Sequence, residues 1–289
     1  MKIGFAGLGV MGGPMARHLV EAGHQVAGFN RSPDKARAWA DATGGRFAET
    51  VEEAASGVEL FILCVGNDHD VREVVSRALP AIQPGAVIVD HTTTSAKVAR
   101  EMAELAAGQA AFFIDGPVSG GQAGAENGQL SVMAGGDAGA LARVEPVLMH
   151  YAKAMKHMGP SGAGQLTKMV NQIAIAGVVQ GLAEAVHFAR TAGLDTDPVY
   201  EAISRGAAQS WQLDNRWKTA AAGQFEFGFA VDWMRKDLGL VLDEARTNGA
   251  HLAVTALVDQ FYSEVQSMGG SRWDTSSLAA RLQGRPARP

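Results

Sequence analysis

The chain has a single cysteine, Cys64, and it lacks the features of a secreted or membrane-spanning protein. One cysteine excludes a disulfide within the chain and is typical of proteins in the reducing cytoplasm. No run of about 18 uninterrupted apolar residues is present, so we expect no helix that spans a membrane. The first residues lack the long apolar region and cleavage site of a signal peptide. These absences predict a cytoplasmic protein without a membrane partner.

The chain also has only a small excess of charge of one sign. The net charge is −5, and the basic residues are scattered rather than clustered. Proteins that bind nucleic acids usually carry a basic patch, so we expect no nucleic-acid partner. Glycine, in contrast, is abundant at 35 of 289 residues and follows no repeat. We therefore expect glycines at turns and at close approaches of the backbone.

The first half of the chain alternates between strand and helix patterns. Helices are predicted between short apolar runs, for example over 34–42 and 95–107. Strands separated by helices indicate βαβ units and a buried parallel sheet. The predicted strands are Lys2–Ala6, Gln25–Phe29, Glu59–Val65, Ala86–Asp90, Ala111–Asp115 and Leu130–Ala134.

The pattern changes after Gly159. A stretch from Gly164 to about Thr191 is apolar on most sides, which predicts a helix of roughly 40 Å surrounded by protein at a domain or subunit core. The remainder predicts further helices and no clear strand, with a frayed tail over 283–289. We therefore expect an α/β domain over 1–161 and an all-helical domain over 162–289, joined by the long helix.

A phosphate-binding turn is predicted directly after the first strand. The segment Gly7-Leu8-Gly9-Val10-Met11-Gly12 has the GxGxxG spacing and precedes the first helix. In such a turn, the first glycine permits the bend and the second lets a pyrophosphate approach. The third lets the helix pack against the strand. An ordinary glycine-rich loop is the alternative, but the strand–turn–helix context favours a dinucleotide site.

The end of the second strand indicates which dinucleotide is bound. NAD sites usually place an acidic residue there to accept the ribose hydroxyl, whereas this chain has Asn30-Arg31-Ser32. These side chains can bind a phosphate without repelling it, so NADP is favoured. In the alternative, Arg31 is a solvated surface residue and Asn30 stabilises a turn, and NAD is then accepted as the cofactor.

Several further motifs follow the glycine turn along the chain. They are the extension of that turn over 7–16, Asp115-Gly116-Pro117-Val118-Ser119-Gly120-Gly121, the segment 128–136, the segment 159–172 and Lys236-Asp237-Leu238. With these motifs the chain resembles the β-hydroxyacid dehydrogenase family, whose members include 3-hydroxyisobutyrate dehydrogenase, tartronate semialdehyde reductase and the glyoxylate/succinic semialdehyde reductases. The resemblance spans about residues 1–280 and implies a Rossmann domain followed by a helical domain.

Lys168, Asn171 and Gln172 are spaced so that one helical face presents an amine beside two amides. A neutral lysine can take the hydroxyl proton while hydride leaves the same carbon, and the ammonium can protonate the alkoxide in reverse. This role requires a lysine pKa lowered toward neutrality. Lysine can also polarise the carbonyl electrostatically, and a surface lysine is the structural alternative. The resemblance implies that Lys168 is catalytic, with Asn171 orienting the reacting oxygen.

Ser119, Gly120 and Gly121 follow a strand end, where open α/β sheets bind ligands. The resemblance implies that this segment and Gln172 bind the substrate, with its carboxylate on 119–121; a simple glycine turn is the alternative. The resemblance also implies cofactor contacts for Thr93, for Lys236 and for Val65-Gly66, where relatives often carry Leu-Pro.

The remaining candidate residues give weaker indications of function. The histidines are dispersed and show no metal-ligand spacing, so no metal site is expected. Cys64 lies in a predicted strand and is interpreted as a core residue. Aromatic residues near Trp211 either line the substrate pocket or pack the helical domain, and Trp211 is the best pocket candidate.

The sequence therefore predicts an NADP-preferring oxidoreductase that interconverts a small 3-hydroxy acid and its semialdehyde. The substrate carries a carboxylate, and a homodimer or homotetramer is expected from the apolar central helix. Two alternatives remain: an imine reductase, whose members usually lack the lysine, and a catalytically silent NADP-binding module. Fold alone does not separate them, and Lys168 argues against both.

Overall fold

The computed structural model describes residues 1–282, and the chain divides into two compact units. The first unit comprises Met1–Lys168, and the second begins at Met169. The predicted domain division at 161/162 stays a prediction. The predicted frayed tail, 283–289, lies outside the described residues.

Among the described residues, the first unit contains one nine-stranded sheet. Its strands are β1 (Lys2–Ala6), β2 (Gln25–Phe29), β3 (Arg46–Phe47), β4 (Leu60–Leu63), β5 (Val87–Asp90), β6 (Phe112–Asp115), β7 (Val118–Ser119), β8 (Leu130–Gly135) and β9 (Ala152–Gly159). Strands β1 to β6 are parallel and lie in the order β3-β2-β1-β4-β5-β6. This is the strand order of a Rossmann sheet, with the switch in direction between β1 and β4. The predicted fold class is confirmed.

The far edge of the sheet is mixed. Strand β8 runs antiparallel to β6 and β7, whereas β9 pairs with β8 in parallel. The sequence predicted six of these nine strands to within one or two residues. It missed β3 and β7, which have only two residues each, and β9, whose residues are mostly exposed and carry no apolar alternation.

The two faces of the sheet are covered by different helices because side chains alternate along each strand. Phe5 and Ile62 pack on one face, whereas Phe61 and Leu63 pack on the other. Helices α1, α2, α6 and α7 cover the first face, and α3, α4 and α5 cover the second. Their bounds are α1 (Gly12–Glu21), α2 (Pro33–Thr43), α3 (Val51–Ala55), α4 (Asp68–Ala78), α5 (Ala96–Ala107), α6 (Gly121–Glu126) and α7 (Ala138–Leu148).

The long helix predicted after Gly159 is α8 (Ala163–Thr191), with 29 residues. Within residues 1–282, α8 meets the length and composition expected of a membrane-crossing helix, a test that buried helices of soluble proteins also meet. The absence of a membrane partner therefore stays a prediction.

The second unit is helical in its described part, as the sequence predicts. After α8 come α9 (Thr196–Ile203), α10 (Trp211–Ala221), α11 (Val231–Asn248), α12 (Ala253–Ser267) and α13 (Leu278–Leu282). Its main core packs Val179 of α8 against Met234 and Leu238 of α11 and Tyr262 of α12. A smaller core surrounds Trp217.

Candidate active site

The turn between β1 and α1 uses its three glycines for two different purposes. A Cβ on Gly7, whose φ is +95°, would lie 2.1 Å from the Cys64 carbonyl oxygen, and a Cβ on Gly12 would lie 1.9 Å from the Gly7 carbonyl oxygen. Both glycines are therefore required by the packing of the turn itself. Gly9 has nothing within 4 Å of its ideal Cβ. The open space at Gly9 fits the close approach of a pyrophosphate.

Asn30, at the end of β2, is tied to this turn. Its Oδ1 accepts a hydrogen bond from the Leu8 backbone N–H at 3.0 Å, and its Nδ2 donates to the Ser32 carbonyl oxygen at 3.2 Å. The side chain thus holds the glycine turn and the 30–32 segment together. Two of the segments predicted to contact the cofactor consequently lie side by side at the carboxyl ends of β1 and β2.

Arg31 extends from this segment with 90% of its side chain exposed. Its guanidinium lies 3.8 Å from Oδ1 of Asp70, and Oδ2 of Asp70 accepts the Gly66 backbone N–H at 3.1 Å. A Cβ on Gly66 would lie 2.5 Å from this carboxylate. The departure from Leu-Pro at 65–66 therefore makes room for Asp70, and it brings a negative charge next to Arg31.

Thr93 lies in a segment that two buried side chains hold in place. The Thr92 hydroxyl oxygen accepts the Val65 backbone N–H at 2.9 Å. Gln165 of α8 donates from Nε2 to the Thr92 carbonyl oxygen at 2.7 Å and accepts the Thr94 N–H at 3.0 Å. Because Gln165 bridges the residues on both sides, Thr93 is fixed relative to the start of α8.

Asp115, the last residue of β6, caps α8. Its carboxylate accepts the backbone N–H groups of Gly162 at 2.7 Å and Gln165 at 2.9 Å. A carboxylate at a helix N-terminus satisfies donors that lack partners within the helix and interacts favourably with the helix dipole. Burial raises the pKa of Asp115, while these backbone hydrogen bonds act in the opposite direction. The end of β6 thereby sets the position of the helix that carries Lys168.

Lys168 lies on α8 with only 8% of its surface exposed. Its ammonium donates to the Val118 carbonyl oxygen at 3.0 Å. Val118 immediately precedes Ser119, and the exposed residues Gly120 and Gly121 follow at the start of α6. The structure therefore brings the predicted catalytic amine to the segment predicted to hold the substrate carboxylate.

In the second unit, a hydrogen-bonded chain joins α8 to α11. Asn171 Nδ2 donates to Gln172 Oε1 at 2.8 Å, and Gln172 Nε2 donates to Asp237 Oδ2 at 2.7 Å. Lys236 lies 3.2 Å from Oδ1 of the same carboxylate. Asp237, which is buried, thus orients both Gln172 and Lys236.

Trp211 begins α10 and is 57% exposed. The guanidinium of Arg216 lies 4.8 Å from the centre of its ring and also pairs with Asp274. Trp211 is consequently a surface residue of the second unit rather than a member of its core.

Several residues at these segments were not predicted from the sequence to have a role. Asp115 and Asp237 lie inside motifs whose other members were assigned, and Gln165 lies one helical turn before Lys168. Within residues 1–282, no group of three or more histidine, cysteine or acidic residues is arranged to hold a metal ion.

Comparisons with known proteins identify the family. Residues 2–159 match the model described as the NAD binding domain of 6-phosphogluconate dehydrogenase. Residues 162–282 match the model described as NAD-binding of NADP-dependent 3-hydroxyisobutyrate dehydrogenase. The chain belongs to the β-hydroxyacid dehydrogenase family. The predicted resemblance is thereby confirmed.

Individual relatives agree with membership of the β-hydroxyacid dehydrogenase family. An uncharacterized oxidoreductase of Shewanella frigidimarina is 59% identical, with 98% of each chain covered. The 2-hydroxy-3-oxopropionate reductase of Escherichia coli is 33% identical, covering 98% of this chain and 97% of the relative. The structure of Mycobacterium tuberculosis 3-hydroxyisobutyrate dehydrogenase with L-serine has a TM-score of 0.90 at 32% identity, covering 98% and 99%. The chain is an NAD(P)-dependent oxidoreductase of the hydroxyacid dehydrogenase type.

Proposed function

We propose that this enzyme prefers NADP and interconverts a small 3-hydroxy acid and its semialdehyde, with Lys168 as general acid and base. The observation that carries the proposal is the hydrogen bond from the buried Lys168 amine to the Val118 carbonyl, next to Ser119–Gly121. Relatives named for 2-hydroxy-3-oxopropionate and 3-hydroxyisobutyrate support this substrate class, because both names describe small hydroxylated acids or their aldehydes.

The cofactor would be held by segments at the carboxyl ends of the first strands. The open face at Gly9 would accept the pyrophosphate, and Arg31 and Ser32 would face the phosphate on the ribose. Val65–Gly66 and Thr93 would contact the same molecule, and the cofactor contact expected for Lys236 stays a prediction. When bound, the nicotinamide supplies or accepts the hydride.

The proton would move at the oxygen of the reacting carbon. In oxidation, the amine of Lys168 would accept the hydroxyl proton, and in reduction its ammonium would return a proton to the developing alkoxide. The hydrogen bond to the Val118 carbonyl orients this amine, because a carbonyl accepts a hydrogen bond only within a limited range of directions. Asn171 would orient the reacting oxygen, with Gln172 holding its side chain.

The substrate carboxylate would bind to the backbone N–H groups and hydroxyl of Ser119–Gly121. Gly120 and Gly121 are exposed, so their backbone is accessible to a ligand. The substrate contacts expected for Gln172 and Trp211 stay predictions.

The first experiment measures initial rates on a panel of carboxylate semialdehydes with NADPH and NADH in parallel. The panel holds glyoxylate and the tartronate, succinic, methylmalonate and malonate semialdehydes, with an imine as control. We expect turnover of one semialdehyde with a preference for NADPH. Turnover of the imine alone would contradict the proposal.

The variant Lys168→Ala tests the assigned role. We expect kcat to fall by about 10²- to 10⁴-fold, while NADPH affinity stays nearly unchanged, because the amine acts on the substrate rather than on the cofactor. Lys97→Ala, which removes an exposed lysine of α5, is the matched control and should leave kcat unchanged. Retention of most activity by Lys168→Ala would contradict the assignment.

A homo-oligomer and a cytoplasmic location stay predictions. The first is supported by α8, which exposes Val170 (66%), Val178 (42%) and Phe188 (70%) in the second unit. Large apolar side chains exposed along one helix are typical of an interface. Sedimentation of the purified protein measures the assembly directly, and a monomer at micromolar concentration would contradict it.

A further inference from the structure

Two buried polar residues of the first unit have no part in the proposed chemistry. His91 follows β5 and Tyr151 precedes β9. The two residues are 60 positions apart in the chain. Both side chains are almost entirely buried, and their rings meet edge to face at 5.5 Å. Burial of two polar side chains is unfavourable unless their hydrogen bonds are satisfied, so the pair requires an explanation.

The hydrogen bonds determine where the protons lie. His91 Nδ1 is 2.5 Å from the Gly116 carbonyl oxygen, and a carbonyl can only accept, so Nδ1 carries the hydrogen. Burial lowers the pKa of His91 to about 4, which keeps the ring neutral. Nε2 therefore accepts from the Tyr151 hydroxyl at 2.7 Å. The Gly116 carbonyl thus selects the tautomer, and the Tyr151 hydroxyl satisfies the remaining ring nitrogen.

Gly116 begins the segment that positions Lys168. Its backbone N–H donates to the Asp90 carbonyl at 2.7 Å, so residues 90 and 91 hold both backbone polar groups of Gly116. Pro117 follows and has no N–H of its own, and its carbonyl accepts the Met133 N–H at 3.1 Å. Val118, two residues after Gly116, has the carbonyl that accepts the hydrogen bond from Lys168. The residues that hold Gly116 therefore act close in the chain to the group that contacts the lysine.

We propose that His91 and Tyr151 are positioning residues that hold the Gly116 carbonyl and, through it, align Val118 and Ser119 with Lys168. The inference rests on the proposed role of Lys168. The pair touches neither substrate nor cofactor in this arrangement. It acts by fixing the backbone from Gly116 to Ser119. This backbone orients the Lys168 amine and contains part of the proposed binding site for the substrate carboxylate.

Two variants of His91 separate this role from simple packing. The amide nitrogen of Asn lies about where Nδ1 lies, so His91→Asn can still donate to Gly116. The longer Gln places its amide near Nε2, so His91→Gln can reach Tyr151 but not Gly116. We expect His91→Gln to lower kcat by about tenfold or more and to raise the substrate KM, with NADPH affinity unchanged. His91→Asn should keep kcat within about fivefold of the parent enzyme.

The opposite order would overturn the proposal. If packing alone mattered, Gln, which is closer to histidine in volume, would be tolerated better than Asn. Equal kcat in both variants would also overturn it. If His91→Gln fails to fold, Tyr151→Phe, which removes a single oxygen, provides the same test and should lower kcat severalfold without changing NADPH affinity.

A spectroscopic measurement tests the tautomer independently of turnover. Nitrogen-15 shifts of the His91 ring at pH 7.5 should show a protonated Nδ1 and an unprotonated Nε2 in the parent enzyme. A protonated Nε2 in the parent enzyme would overturn the proposal. Activity that survives Lys168→Ala would instead contradict the proposed function, so the two failures are distinguishable.

Discussion

His91 should make the stability of the first unit depend on pH between about 7 and 4. Burial lowers the pKa of the folded ring from 6.5 to about 4. Below pH 6.5 the unfolded chain therefore binds a proton at this position that the folded chain does not bind. Because the unfolded state is favoured by that proton, the free energy of unfolding falls as the pH falls from 6.5 toward 4.

The size of the effect follows from the two pKa values. The interval between 6.5 and about 4 corresponds to about 3 kcal/mol once the pH is below 4. Between pH 7.5 and pH 5.0, where most of the interval has been crossed, the loss from this one ring is about 2 kcal/mol. Such a loss is a large fraction of the stability of a typical domain.

The assay compares the parent enzyme with His91→Gln at pH 7.5 and pH 5.0. Four of the five tryptophans lie in the second unit, so tryptophan fluorescence reports mainly on that unit. Hydrogen exchange of peptides covering β5 and β6 reports the opening of the first unit directly. We expect the parent enzyme to lose about 2 kcal/mol more than the variant between the two pH values.

The control is His69→Gln, which replaces an exposed histidine and leaves the buried ring in place. Other groups that titrate in this interval are common to the parent enzyme and His91→Gln, so they cancel in that comparison. An equal loss of stability in the parent enzyme and in His91→Gln would refute the reasoning, because it would mean that the buried ring takes up its proton without cost.

Two further predictions concern the cofactor and the start of α8. Asp70→Asn removes a negative charge 3.8 Å from Arg31 while keeping an acceptor for the Gly66 N–H. It should raise the ratio of kcat/KM with NADPH to that with NADH by about two- to fivefold at low salt; an unchanged ratio would remove Arg31 from the cofactor site. Gly164→Ala would place a Cβ 2.3 Å from the Met133 carbonyl oxygen and should lower the free energy of unfolding by about 1–3 kcal/mol. Gly13→Ala, whose Cβ meets nothing closer than 3.5 Å, should not destabilise, and equal unfolding curves for the two variants would contradict the packing argument.

The elements that were predicted from the sequence are those whose residues repeat locally. Strands β1 and β2 have the predicted bounds, and α8 begins within one residue of its predicted start. A strand buried on both faces is a continuous apolar run, and a long helix keeps its period over several turns. Strand β9 has neither signal, because only its pairing with β8 makes it a strand.

The same distinction applies to the site. The glycine turn and the spacing of Lys168, Asn171 and Gln172 follow from the sequence alone, since a turn and a helix face are set by residues close in the chain. Their partners come from elsewhere in each unit. Val118 is 50 residues from Lys168, and Asp237 is 65 residues from Gln172.

The sequence by itself therefore determined six of the nine described strands, the long helix, the glycine turn and the spacing of the candidate catalytic residues. Only the tertiary structure decided which residues hold these segments in position. Asp115 caps the start of α8, Gln165 is hydrogen-bonded to Thr92 and Thr94, and His91, with Tyr151, is hydrogen-bonded to Gly116. The physical reason is that hydrophobic periodicity encodes local conformation and burial. The partner of a buried polar group is selected only when packing excludes water and brings distant segments within hydrogen-bond distance.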